Sequence, residues 1–468
     1  MSVEAGFAQA AGLEQAGRFA EAEEAYRRII GEAPHNADAR FNFACFLRRR
    51  GRLEEALEEH QAALDLGIVR PEEVLSNMAV IQGELRRDAA ATLLFERAIS
   101  TNPTYIPALY NLALQYEELG NRTGALRLFR SILDIDPHWY DALVRIVHAE
   151  TVRDPDGEVV KRLRRALRRS NLEPLTRESL WFALGKALDD CGRYEEAFEA
   201  YAQGNAASRP RLSPYDRAAV EASVDRVVAE FTPALIGRAT PVSDAPLVFV
   251  TGLYRSGSTM FEQVLAAHPR VTAGGEIEYF MRAPFSFEPA DWPPVARGYL
   301  DHLARTFPDR DIVTNKRPDS FALLGMLKGS FPNARFVHTV RDPRDAALSI
   351  WFQQFDGRLG YAADLGDIAF HQRQCQRLMA HWKGLFGESI FDADYDAFVR
   401  DPRPVAERLL AFLGLDWHEG CLDFQRNAAR VRTASVAQVR EPLYGRSSGR
   451  WRNYERQLAA LAPNLVTG

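Results

Sequence analysis

The sequence predicts two unlike parts: an all-α helical array in the first half and an α/β domain with a parallel sheet in the second. Three observations predict this. Glycines at helix turns recur at a fixed interval near the N-terminus. From Pro246 the pattern changes to strand, loop, helix. Between the two lies a stretch rich in Pro and Ser, SRPRLSP to TPVSDAP. At 468 residues the chain exceeds one ordinary core, which also implies more than one domain.

The array comes first. Gly17, Gly51 and Gly120 open the stretches GRFAEAEEAY, GRLEEALEEH and GNRTGALRLF. Gly17 and Gly51 lie 34 residues apart, and Gly51 to Gly120 is 69, two such steps with Arg86 or Arg87 at the intermediate turn before DAAATLLFERAI. A small residue follows five places on (Ala22, Ala56, Ala125), and Pro34, Pro103 and Pro137 close three of the units. Glycine frees a tight turn, alanine lets helices approach, and proline ends the second helix. The period matches the tetratricopeptide repeat. A further copy is expected at SLWFALGKALDDCGRYEEAFEAY, with Gly192, Ala197 and Pro210, whereas DPDGEVVKRLRRALRRS is helical in period but off the pattern. A generic amphipathic array is the blander reading, and the matched Gly, Ala and Pro spacing argues against it. The repeat array is assigned to residues 1–208 and a linker or connecting helices to 209–245. Stacked repeats present a concave face, here expected to hold a peptide or protein.

Residues 246–468 form the second domain. PLVFVTG is a short apolar run with β-branched residues, as in a buried parallel strand. DIVTNK, ARFVHTVRD and SIFDADY are expected to be further strands, with helices at MFEQVLAAH and PRDAALSIWFQQF. Ligands in such sheets bind at the carboxyl ends of the strands, so the loops after Gly252, Lys316 and Arg341 are the ones to watch. The loop Gly252 to Thr259 has the chemistry of a phosphate cradle. A glycine lets the backbone turn, successive N–H groups converge, and a helix N-terminus follows. Arg255 adds charge, and Ser258 and Thr259 add hydroxyls. A nucleoside-triphosphate loop would carry Lys where this chain has Ser258. Arg341 at a strand end and Ser349 eight residues on, two turns into a helix, could converge on another phosphate.

Phosphate loop, strand-end Lys, RDPRDA then Ser, and a late GRW occur in one order. This resembles the sulfotransferase family, over roughly Pro246 to Leu458, with its P-loop-like fold. AAHPRVTAGGEIEYF and ASVAQVREPLYGRSSGRWRNYE are similar to the tyrosylprotein branch and its bacterial tetratricopeptide relatives. The resemblance implies 3'-phosphoadenylyl sulfate (PAPS) as co-substrate, with no metal. It places Arg255, Ser256, Gly257, Ser258 and Thr259 around the 5'-phosphosulfate, and Arg341 and Ser349 around the 3'-phosphate. Ser435 and Arg450 fall in a late segment that closes over the nucleotide. Glu276 falls at the general base, with Glu278 as the near competitor, and Lys316 at the oxygen that leaves with the 5'-phosphate. Four departures stand out. Tyr254 replaces a Pro, Glu278 replaces an Arg, Arg317 replaces an Asp, and Gln353 replaces an Arg.

Net charge is −5, without the basic bias of a nucleic-acid binder. The four cysteines are scattered, which argues against structural zinc and a disulfide framework. No stretch is long and apolar enough to span a bilayer, and the N-terminus lacks the features of a signal peptide. A cytoplasmic protein is expected. Expected partners are an acceptor peptide or protein held by the array, and a second copy of the chain in a homodimer. A protein tyrosine is the first candidate acceptor, because a phenol of pKa about 10 demands less of a carboxylate base than an alkyl alcohol. The alternatives are a carbohydrate or small-molecule acceptor, or a scaffold whose transferase domain is inactive.

Overall fold

The computed structural model describes residues 3–283, 285–426 and 447–461. It separates into two compact units, Met1–Ile146 and Val147–Gly468.

The first unit is built from helix pairs: α1 (Val3–Gln15) with α2 (Phe19–Glu32), α3 (Ala37–Arg49) with α4 (Leu53–Asp65), α5 (Pro71–Glu84) with α6 (Asp88–Thr101), and α7 (Ile106–Glu118) with α8 (Arg122–Ile135). The predicted turn glycines adopt left-handed backbone, with φ of 73° at Gly17, 76° at Gly51 and 82° at Gly120. Arg86 takes the same conformation at φ 60°, so an arginine does at the third turn what glycine does at the others. Five residues past each turn, Ala22, Ala56, Ala91 and Ala125 are at most 1% exposed, which lets paired helices close up. Asn36 and Asn121 cap α3 and α8 by accepting from the amides of Ala39 and Gly124.

The boundary falls within α9 (Tyr140–Ala149), and α10 (Glu158–Leu167) follows in the second unit. The last repeat pair follows, α11 (Pro174–Asp190) and α12 (Tyr194–Ser208). Gly192 is left-handed at φ 73° and Ala197 is fully buried, as in the other repeats. This pair packs within the same unit as the sheet, so the packing boundary falls inside the repeat region and not at its end. Between them, α13 (Arg217–Glu230) and the short α14 (Pro233–Gly237) occupy the Pro- and Ser-rich stretch.

The sheet has five described strands in the order β2-β3-β1-β4-β5, all parallel: β1 (Val248–Gly252), β2 (Val271–Ala273), β3 (Ile312–Lys316), β4 (Arg335–Val340) and β5 (Ile390–Asp394). The four predicted strands are present. The three-residue β2 was too short to show as a hydrophobic run. Side chains of β1, with Leu247 just before it, alternate between two cores. Leu247 and Phe249 join Phe231, Trp292, Phe336 and Trp382 on one face, and Val248 and Val250 join Phe261, Val264, Val337 and Phe398 on the other. Helices α15 (Ser258–Ala266), α16 (Tyr279–Arg282), α17 (Trp292–Thr306), α18 (Leu324–Ser330), α19 (Pro343–Trp351), α20 (Leu365–Phe386), α21 (Tyr395–Arg400), α22 (Pro402–Phe412) and α23 (Glu455–Leu461) complete the unit. After β1 the chain builds β2 and β3 on one side, then crosses to β4 and β5 on the other. The carboxyl end of β1 is therefore a topological switch point, where such sheets bind ligands.

Candidate functional site

The loop from Gly252 to Gly257 leaves this switch point. Gly252 has φ 148° and its position is closed to any side chain, since a Cβ would come 2.7 Å from the Thr339 carbonyl oxygen. Arg255 is left-handed at φ 66° and Gly257 at φ 102°, immediately before α15 begins. A strained arginine between two special glycines is a conformation that surrounding structure must impose. Part of that structure is Ser256. It is buried, its hydroxyl donates to the Leu253 carbonyl at 2.6 Å, and it contacts Thr339 Oγ1 at 2.6 Å. Ser258 and Thr259 are buried at the first turn of α15. The turn thus points its amides and the N-terminus of α15 at one place, an arrangement suited to an anion.

The cradle and the second predicted anion contact form one hydrogen-bonded unit. Arg255 Nε donates to Ser349 Oγ at 3.1 Å, and Arg341 Nη1 donates to the Arg255 carbonyl at 3.0 Å. Arg341 also lies 4.7 Å from the Tyr395 ring centroid, donates to the Ser447 carbonyl at 2.5 Å, and keeps a buried Nε without a hydrogen-bond partner among the described residues. An unused buried donor on this half-buried guanidinium fits an oxyanion that is still to arrive.

On the other side of β1, Lys316 ends β3. It is 1% exposed, and its Nζ lies 2.5 Å from Glu276 Oε1, whose side chain is 35% exposed. The sequence-predicted base and lysine are therefore direct partners. Glu278 lies in a separate cluster. It accepts from Arg282 at 2.9 Å and pairs with Arg317 and Arg358 at 3.5 Å each. The Arg282 hydrogen bond, helped by Arg317 and Arg358, holds the Glu278 carboxyl below its usual range. The two charge departures noted in the sequence, Glu278 and Arg317, thus face each other as an ion pair. Arg317 also pairs with Asp319 at 2.9 Å, and Tyr254 Oη lies 3.5 Å from Asp319. Tyr254, the residue in place of a proline, joins this cluster and packs edge-on against Phe355.

Arg450 is placed differently from the other predicted residues. Its guanidinium pairs with Asp189 of α11 at 2.5 Å and lies over the Phe352 ring. Its neighbours are held to α19 and α21 instead. Asp345 of α19 accepts from the amides of Gly449 and Trp451 at 2.5 and 2.7 Å, and Asp396 accepts from Ser448 at 2.6 Å. Ser435 lies outside the described residues. Sequence reasoning missed Asp345, Asp396, Asp189 and the buried Glu262. No group of three or more His, Cys, Asp or Glu able to hold a metal ion occurs among the described residues. Trp351, Trp382 and Trp451 are all buried.

Comparison with known proteins bears on this geometry. The model of the sulfotransferase family matches residues 246–292 and 281–419, and tetratricopeptide-repeat models match 13–66, 94–126 and 178–208. An "uncharacterized protein" of Aquifex aeolicus is 29% identical over 82% of this chain and 53% of its own length. Protein-tyrosine sulfotransferase 1 of Danio rerio is 25% identical over 48% of this chain and 72% of its own length. The sulfotransferase domain of the Synechococcus olefin synthase is 20% identical, with a TM-score of 0.37, covering 45% of this chain and 90% of that domain. The match to the Aquifex relative spans about half of that protein. Residues 246–419 thus form a domain of the sulfotransferase family, and tetratricopeptide repeats precede it in the chain.

Proposed function

We propose that this chain transfers a sulfuryl group from 3'-phosphoadenylyl sulfate to a hydroxyl, with a protein or peptide tyrosine as the first candidate acceptor. The observation that carries the reading is the Glu276–Lys316 pair beside a hydrogen-bonded double anion site. Two anion sites suit a donor with charged groups at both ends of its ribose. Arg255, Ser256, Gly257, Ser258 and Thr259 would hold the 5'-phosphosulfate. Arg341 and Ser349 would hold the 3'-phosphate, and the latched segment after Ser447 would close over it. By the resemblance to the family, Arg450, and Ser435 outside the described residues, would take part in closing over the nucleotide.

The chemistry divides between two side chains. Glu276 takes the acceptor proton as the new O–S bond forms. Lys316 stabilises the bridging oxygen as the S–O bond to the 5'-phosphate breaks, where negative charge grows. The pair must separate for both roles, and the ammonium then exchanges a carboxylate partner for a phosphate one. The sulfuryl group moves with no change of oxidation state, and the bisphosphate leaves.

Tyrosine as acceptor is supported by the relatives named as protein-tyrosine sulfotransferases and by the repeat array, a surface suited to a peptide. A carbohydrate or small-molecule acceptor is favoured by one observation, the reversed Glu278–Arg317 pair beside the base. Four free cysteines and the lack of a membrane-length apolar helix among the described residues suit a reducing, cytoplasmic setting.

Calorimetric titration with 3'-phosphoadenosine 5'-phosphate, against ATP as control, tests the donor. Tight binding of the bisphosphate with little ATP binding is expected. No bisphosphate binding by the folded chain would overturn the reading and leave a scaffold in its place.

A further inference from the structure

Glu262 lies on α15, one turn past the anion loop, and is 3% exposed. A buried carboxylate needs partners, and those of Glu262 lead to the base. Its Oε1 accepts from the Gly275 amide at 3.0 Å and from the Thr314 hydroxyl of β3 at 2.9 Å. Thr314 Oγ1 in turn accepts from the Gly274 amide at 3.3 Å, and the Gly275 carbonyl accepts from the Lys316 amide at 3.0 Å. Two consecutive amides of the turn before Glu276 are therefore held to α15 and β3. The turn has no freedom to be built otherwise. Gly275 is left-handed at φ 68°, and a Cβ on Gly274 would come 2.1 Å from the Thr314 carbonyl oxygen.

We propose that Glu262 is a positioning residue for sulfuryl transfer: by pinning the Gly274–Gly275 turn to β3 it fixes where the Glu276 carboxylate stands relative to Lys316. The inference rests on the function proposed above. Glu276 itself is a third exposed and, among the described residues, its side chain is tethered only to Lys316, a contact that transfer must break. Once that contact opens, the main-chain clamp is what keeps the base in place. Burial pushes the Glu262 carboxyl up, while Lys316 and the two donors pull it down, so the lysine has two carboxylates in its field.

The test compares full-length Glu262→Ala and Glu262→Gln with wild type in three readouts: hydrogen exchange across residues 274–278, calorimetric affinity for 3'-phosphoadenosine 5'-phosphate, and kcat for transfer from 3'-phosphoadenylyl sulfate to p-cresol. Where the phenol is not taken, kcat for hydrolysis, with water as acceptor, replaces it. Glu262→Ala should expose the Gly275 amide to exchange and lower kcat on the order of a hundredfold, the cost of a misplacement of about 1 Å, with bisphosphate affinity unchanged. Glu262→Gln keeps an acceptor oxygen and should restore both protection and most of kcat. If Glu262→Ala does not fold, Thr314→Val, which removes one leg of the clamp, is expected to give a smaller fall in kcat with the same intact affinity. Unchanged exchange and kcat in Glu262→Ala would overturn the proposal. So would parallel loss of bisphosphate binding in both variants, which would make Glu262 part of the donor site. If wild type binds no bisphosphate, the function itself has failed, and the exchange readout still decides the clamp.

Discussion

Lys316 Nζ stands 2.5 Å from Glu276 Oε1, with the lysine 1% exposed and the carboxylate open to solvent on one side. An ammonium removed from water is tolerated only with a partner, so Glu276 is the lysine's counter-ion here, and under the proposed function a donor phosphate would replace it. Glu276→Gln is therefore expected to lower the melting temperature of the unliganded chain. It should lower turnover by about a hundredfold or more and preserve bisphosphate binding. The bisphosphate should raise the variant's melting temperature more than it raises that of wild type, because it restores the missing negative charge. Equal stabilisation of both proteins would show that the ligand does not reach Lys316.

Gly257 precedes α15 at φ 102°, and a Cβ there would come 2.7 Å from the Tyr395 ring. Gly257→Ala adds left-handed strain of about 1–2 kcal/mol and pushes on the ring under Arg341. Weakening of bisphosphate binding by about tenfold or more is expected from strain of that size. Gly384, inside α20 with open space at its Cβ, is the control. Gly384→Ala should leave binding unchanged and stabilise the fold slightly, because alanine favours a helix over glycine. Equal binding by Gly257→Ala and wild type would remove the loop from the anion site.

These two sites differ in how far the sequence reveals them. The 34-residue period was legible because each unit needs the same turn and the same close helix contact, so Gly and Ala repeat in register. The long strands were legible as apolar runs between breakers, and the loop after Gly252 by its glycines. Arg86 shows the limit of such reading, since its left-handed turn carries no glycine. Glu262 was invisible for a different reason. A charged residue in a helix reads as surface, and only the sheet packed against α15 shows that it faces inward. Arg450 was found through its GRW neighbourhood, but its partner Asp189 lies in a repeat helix far earlier in the chain. Nothing local in sequence links them.

The Asp189–Arg450 pair joins α11 to the segment that latches onto Arg341. Asp189 also accepts from Tyr454 Oη, and the Arg450 side chain is 29% exposed. Asp189→Ala leaves a largely buried guanidinium unpaired. Breaking a fully buried pair costs about 3–5 kcal/mol, and partial exposure reduces that here to about 2 kcal/mol. Urea unfolding should show that loss. Bisphosphate affinity should fall as well, although Asp189 belongs to the repeat pair, because Gly449 and Ser447 lose their anchor. Destabilisation with unchanged affinity would mean that Asp345 and Asp396 hold the segment alone.

His60, on α4, is fully buried beside Phe41, and neither ring nitrogen has a hydrogen-bond partner among the described residues. Burial, with a smaller contribution from Arg48, pushes its pKa down to about 4. The unfolded chain takes up a proton near pH 6.5, its ordinary value, while the folded chain resists until about pH 4. Between those values the unfolded state binds more protons, so stability falls as pH falls. The contribution of His60 is complete above about pH 6.5 and fades through the window below it. A drop from pH 7.5 to 5 should cost the wild type about 2 kcal/mol more than His60→Leu, which has no proton to gain. Urea unfolding of both full-length proteins at the two pH values measures the difference. Parallel loss in both would show that the ring is solvated or partnered in solution, and the acid sensitivity of the array would then come from its surface ion pairs.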